Sequence, residues 1–231
     1  MGRGAAILVA GALVVGGEAC TSERQPGSQP SPTPSVSSTP TPTESTAVPE
    51  PEPTGPATSD GRPRRAALSV RSLGIRDLVV LPYRGWTDDA PGTRIQDRGV
   101  AASPFGPRGG VGPGGVGNYQ VTAHRTSSTQ AFEDLPALRR GDRIFVEAGG
   151  VRYVYRVTQT RKTSFRSARS LAEQRAAVPG YPGRRATRAM ITLSTCLTRE
   201  DHAAGNFWSD RFDNPEHRVD KIGVLVRSVE L

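Results

Sequence analysis

The sequence predicts a mainly β fold, a single closed or nearly closed barrel with one or two short helices, and three observations lead there. Past about Leu68 the apolar residues recur in short runs of period two. Glycine-bearing turns separate those runs, and only two stretches carry a helical pattern. The 231 residues suffice for one such domain with sequence left over. The remainder is visible at the start, where prolines gather and aromatics are scarce. The expected organisation is residues 1–20 as an export signal, lipoprotein-like signal or membrane anchor, 21–66 as a stalk, and 67–231 as the folded domain.

The elements follow in order. Leu68-Ser69-Val70-Arg71-Ser72-Leu73 and Leu78-Val79-Val80-Leu81 read as strands, broken by Gly74 and ended by Pro82. A glycine-rich stretch, 106–117, is expected as a mobile loop beside a groove. It leads into Asn118-Tyr119-Gln120-Val121-Thr122-Ala123-His124, where Tyr119, Val121 and Ala123 face one way and Asn118, Gln120, Thr122 and His124 the other. Residues 130–138 read as a turn or two of helix, limited by Pro136. Gly141-Asp142 marks a turn, and Gly149-Gly150 joins Arg143-Ile144-Phe145-Val146-Glu147-Ala148 to Val151-Arg152-Tyr153-Val154-Tyr155-Arg156-Val157 as a hairpin. A second helix is expected over 167–177, stopping before Pro179. The last strands are Met190-Ile191-Thr192-Leu193-Ser194-Thr195-Cys196 and Ile222-Gly223-Val224-Leu225-Val226-Arg227-Ser228-Val229.

Residues 21–66 are mostly Pro, Ser, Thr, Gly and Glu. So few apolar side chains cannot offset the entropy of ordering the chain, and an extended stalk is expected. Ahead of it, Arg3 precedes the apolar run from Ala5 to Val15, too short for a comfortable span but suited to an export signal. Cys20, followed by Thr21 and Ser22, resembles the modified cysteine of a bacterial lipoprotein. Lipidation, an uncleaved anchor and plain secretion are the three outcomes, and the first two attach the protein to the extracytoplasmic face of the membrane by its N-terminus.

The formal net charge is +8, and Lys162 and Lys221 are the only lysines. Nucleic-acid binding is not expected, because the chain reads as exported and its arginines are scattered without an aromatic-basic strand pattern. Cys196, His202 and His217 lack the number and spacing of a zinc site, and the glycine loop lacks the following helix and lysine of a phosphate cradle. No metal or other cofactor is expected.

Chemistry centres on Cys196. A lone cysteine in an apolar strand is ordinarily a small buried hydrophobe. Here it ends its strand, shares a face with Thr192 and Ser194, and is the only thiol beyond Cys20. A thiol becomes a strong nucleophile as the thiolate, and a nearby histidine can hold the proton. Among His124, His202 and His217, the last two fall in the polar stretch 199–220 and read as solvated loop residues. His124 ends an alternating strand on its polar face and is the favoured base.

Two motifs carry a resemblance to a family. Gly117-Asn118-Tyr119-Gln120-Val121-Thr122-Ala123-His124-Arg125, with Phe132, Leu135, Leu138 and Gly141-Asp142 after it, resembles the histidine strand of sortases, Ala123 replacing their usual glycine. Thr192-Leu193-Ser194-Thr195-Cys196 is similar to their Thr-Leu-x-Thr-Cys nucleophile motif. The similarity spans about 68–231 and looks most like the class E sortases of actinobacteria.

It implies an eight-stranded barrel acting as a cysteine transpeptidase. Such an enzyme cuts a Leu-Ala-x-Thr-Gly or Leu-Pro-x-Thr-Gly sorting signal between Thr and Gly and passes the acyl group to a cell-wall precursor amine. The expected partners are secreted proteins that bear the signal, and a monomer is expected. The resemblance also calls for an arginine near the last strand, with Arg218 ahead of Arg211 and Lys221, and for backbone amides near Thr195 to help hold an oxyanion. A hydrolytic cysteine peptidase and a non-catalytic wall-binding barrel are the competing readings.

Overall fold

A computed structural model describes residues 55–231. The signal or anchor over 1–20, Cys20 and the stalk over 21–54 lie outside the described residues. Eight strands form a closed barrel: β1 (Ala66–Val70), β2 (Ile75–Arg84), β3 (Ala101–Phe105), β4 (Gly117–Thr122), β5 (Arg143–Ala148), β6 (Val151–Ser164), β7 (Ala189–Cys196) and β8 (His217–Glu230). Around the barrel they run β1-β2-β3-β4-β7-β8-β6-β5. Two adjacent pairs, β2 with β3 and β4 with β7, are parallel. Each therefore requires a crossover, and those crossovers carry the helices α1 (Ala90–Gln96) and α2 (Ala168–Arg175). A third helix, α3 (Thr198–Ala203), follows β7 directly.

The interior is filled as strand alternation dictates. Tyr119, Val121 and Ala123 meet Ile191 and Leu193 inside, together with Leu68, Val80, Ile144, Val146, Tyr155 and Val157. Phe132, Leu135 and Leu138 join this core from the turns before β5. Lys221 is buried beside them, its ammonium donating to the carbonyls of Pro136 at 2.8 Å and Leu138 at 2.6 Å and to Thr160 Oγ1 at 3.2 Å. That lysine is a structural tie for the turn.

Several local expectations need revision. The stretch 130–138 is a series of turns ending in one turn of 3-10 helix, Leu135–Ala137, because Pro136 withholds the donor an α-helix would use. Two α-helices, α1 and α3, were not expected at all. Asp89 caps α1, accepting from the Gly92 amide at 3.0 Å, with Pro91 in the first turn, so the start signal was present in a helix only two turns long. The expected helix over 167–177 is α2, with Ser167 as its N-cap.

The glycine-rich stretch is held, where a mobile loop was expected. Gly110 N donates to Pro104 O at 2.8 Å, and Gly112 N donates to Gly61 O at 2.7 Å. A Cβ on Gly112 would sit 1.9 Å from Arg62 O, so only glycine lets these two backbones approach. Residues 55–65, assigned to the stalk by composition, lie on the barrel here. Ser59 N donates to Gly114 O at 2.9 Å, and Ser228 Oγ donates to Ala57 O at 2.6 Å. Among the described residues no helix is long and apolar enough to cross a membrane.

Candidate active site

The polar faces of β4 and β7 lie side by side, because the two strands are parallel and in register from Gly117 opposite Ala189 to Thr122 opposite Ser194. Two residues further along each chain stand His124 and Cys196. Thr195 Oγ1 donates to Ala123 O at 2.8 Å, which extends the alignment past the end of β4. Arg125 fixes the same corner from the outside: it pairs with both carboxylate oxygens of Glu200, and its Nε donates to Glu133 O at 3.2 Å. Its Nη1 also reaches Cys196 O at 3.5 Å. The His-Arg dipeptide thus places a ring at the strand end and locks the strand end to α3.

On its other side β7 pairs antiparallel with β8, and Cys196 lies directly opposite Arg218. Arg218 Nη2 is 3.5 Å from Cys196 Sγ. The guanidinium is 1% exposed, packs 5.2 Å from the Phe165 ring centroid, and is paired through Nη1 with Asp88. Burial lowers its pKa to about 10, against the pull of Asp220 and the Tyr83 hydroxyl, so it stays a cation at neutral pH. Of the other candidate cations, Arg211 lies 4.6 Å over the Phe212 ring and Lys221 is committed to its carbonyls. Of these three cations, the strand register puts Arg218 beside Cys196.

Burial of Cys196 pushes the thiol up to about 12; the carboxylates of Asp210 and Asp201 add to the rise and Arg125 opposes it. A thiol raised so far keeps its proton near neutrality, and it would need a base to act as a nucleophile. His124 holds its ring with Nε2 2.8 Å from Asp97 Oδ1, just beyond α1. The structure brings neither His202 nor His217 to this task. His202 is exposed, its ring 4.8 Å from that of Phe207. His217 Nδ1 lies 2.7 Å from Asp201 Oδ1, where the sequence pointed to a solvated loop residue. Thr195 is fully buried, with its hydroxyl spent on Ala123 O.

The sortase domain family model matches residues 70–210. The chain belongs to the sortase family. It is thus a member of a family of cysteine transpeptidases with a closed barrel. Similar solved structures include the SrtA sortase from Actinomyces oris, at 19% identity and a TM-score of 0.54, covering 75% of this chain and 90% of that one. Sortase E from Streptomyces avermitilis aligns at 22% identity and a TM-score of 0.52, over 74% of this chain and 91% of that one. Sortase E1 from Streptomyces coelicolor, with a tripeptide in the active site, aligns at 22% and 0.52 over 75% and 94%. At these identities the likeness is one of fold. No curated protein matches the sequence.

What the sequence did not reveal in this sortase is the cover over the polar faces. Asp220 accepts from Ser194 Oγ at 2.5 Å, Gln174 Nε2 at 2.7 Å and Thr163 Oγ1 at 2.5 Å, tying α2 to β6, β7 and β8. Asn118 Nδ2 donates to Gln174 O at 3.0 Å and Ala176 O at 3.2 Å, satisfying carbonyls that the end of α2 leaves open. Thr87 Oγ1 meets Gln120 Oε1 at 2.7 Å. The hydrophilic alternation therefore marks a buried seam beneath α2 and residues 85–89. Asp88 and Asp97 come from the connection between β2 and β3; the Asp88-Asp89 doublet before Pro91 marks the first only as a loop carboxylate, and nothing comparable marks Asp97.

Proposed function

We propose that this sortase is an extracytoplasmic, membrane-tethered transpeptidase of the class E kind that cuts Leu-Ala-x-Thr-Gly or Leu-Pro-x-Thr-Gly signals between Thr and Gly. The observation that carries the reading is the placement of Arg218 directly across the strand pair from Cys196, with its Nη2 3.5 Å from Sγ. In the first step His124 takes the thiol proton and Sγ bonds to the Thr carbonyl carbon. Arg218 and backbone amides near Thr195 stabilise the oxyanion that forms. The carbon–nitrogen bond to Gly then breaks, and His124 returns the proton to the departing amine, leaving a thioester on Cys196.

An amine of a cell-wall precursor attacks that thioester, gives a proton to His124, and displaces Sγ, which recovers the proton. The tripeptide held by the Streptomyces coelicolor relative supports a peptide as substrate. The apolar run ahead of Cys20 supports a tether, in lipidated or anchored form.

The test incubates the protein with labelled Leu-Ala-x-Thr-Gly and Leu-Pro-x-Thr-Gly peptides, with and without an amine. Cleavage after Thr and an amide product that appears with the amine are expected. Cys196→Ala should abolish both; equal cleavage by that variant, or none by the native protein, would overturn the reading.

A further inference from the structure

The connection between β2 and β3 delivers a carboxylate to the candidate site at each of its ends. Asp88 meets Arg218 at the start, and Asp97 meets His124 just after α1, with Oδ1 2.8 Å from Nε2. The two ends are joined, since Gln96 Nε2 donates to Asp88 Oδ1 at 3.2 Å. The histidine side is secured to the same segment: Ser128 Oγ donates to Asp97 O at 3.0 Å and Thr129 Oγ1 to Gly99 O at 3.1 Å. Phe132 N also donates to His124 O at 3.0 Å, so ring and carboxylate are both held through their backbones.

A carboxylate can only accept, so the contact at Nε2 requires the proton of a neutral His124 ring to sit on Nε2. That leaves Nδ1 as the nitrogen with a lone pair to exchange a proton with the reacting groups. We propose that Asp97 is a positioning residue for His124, fixing its tautomer and ring direction so that Nδ1 serves the thiol and the leaving amine. The proposal rests on the reading of His124 as the acid–base group. Asp97 does this from the rim: its side chain is 57% exposed while the His124 ring is 20% exposed, so the carboxylate adds little to the core.

Nitrogen-15 spectra of histidine-labelled protein, recorded at alkaline pH, separate this role from a structural one. Native His124 is expected as the Nε2-protonated tautomer and Asp97→Ala as a mixture. In the peptide assay Asp97→Ala should lower kcat by about ten- to a hundredfold, the scale of a misplaced catalytic group, with KM and melting temperature held. Asp97→Glu should recover part of the loss. An unchanged tautomer, an unchanged kcat, or a loss that comes with a lowered melting temperature would each overturn the proposal. If the native protein cuts neither sorting peptide, the functional reading fails, while the tautomer and its response to Asp97→Ala still decide the role of Asp97.

Discussion

At Cys196 two demands compete. The thiol must be desolvated to sit at the end of a core strand, and burial then raises it to about 12, well above neutrality. Because the thiolate is the reactive form, its fraction grows with pH up to that value. Alkylation by iodoacetamide should therefore quicken by about tenfold per pH unit between pH 7 and 9 without levelling; a plateau near neutrality would show that Arg218 and Arg125 outweigh burial. Arg218 divides its planar fork, with Nη1 on Asp88 and Nη2 facing Sγ. Lysine offers a single point of charge, so Arg218→Lys should reduce peptide cleavage by about a hundredfold or more with the fold retained. Activity within a few-fold of native would remove Arg218 from the site. Cys196 and His124 could be named as candidates because alternation and motif agree on them, whereas Arg218 was only the foremost of several cations. Asp88 and Asp97 were not legible, since their partners stand more than a hundred and nearly thirty residues away respectively.

Among the elements, most strands and α2 were the readable part, whereas β3 and the short helices α1 and α3 were not. A strand such as Met190-Ile191-Thr192-Leu193-Ser194-Thr195-Cys196 declares itself by period two. Ala90-Pro91-Gly92-Thr93-Arg94-Ile95-Gln96 is too short to show an apolar stripe, and it holds its place through Asp89 and Gln96. The polar faces of β4 and β7 were legible as faces, but not their cover: most of that surface lies under α2, held through Asp220, Gln174 and Asn118. Asp220→Ala should lower stability by about 3 kcal/mol, because it strands the Ser194, Gln174 and Thr163 donors in the interior. Chemical denaturation reads that change, and a loss below about 1 kcal/mol would mean that water replaces the carboxylate.

For the whole molecule, local pattern predicts a barrel but not its order of strands. The parallel pairs β2 with β3 and β4 with β7 depend on crossovers that no period announces, and the second of them is what aligns His124 with Cys196. Composition also misjudged where the folded unit begins, since Ser59 and Gly61 bond to the glycine-rich loop despite their stalk-like surroundings. A chain begun at Ala66 should be less stable than one begun at Gly55 by about 1–3 kcal/mol, from the lost hydrogen bonds and the uncovered loop. Equal melting temperatures would mean that the segment adds nothing.

Whether Cys196 carries the acyl group between two amines can be read by intact-protein mass spectrometry with a sorting peptide and no amine. An adduct of the peptide up to and including Thr is expected on Cys196, released by hydroxylamine or by an added amine, and absent from Cys196→Ala. An adduct that forms on another residue, or cleavage that proceeds in the Cys196→Ala protein, would contradict that role.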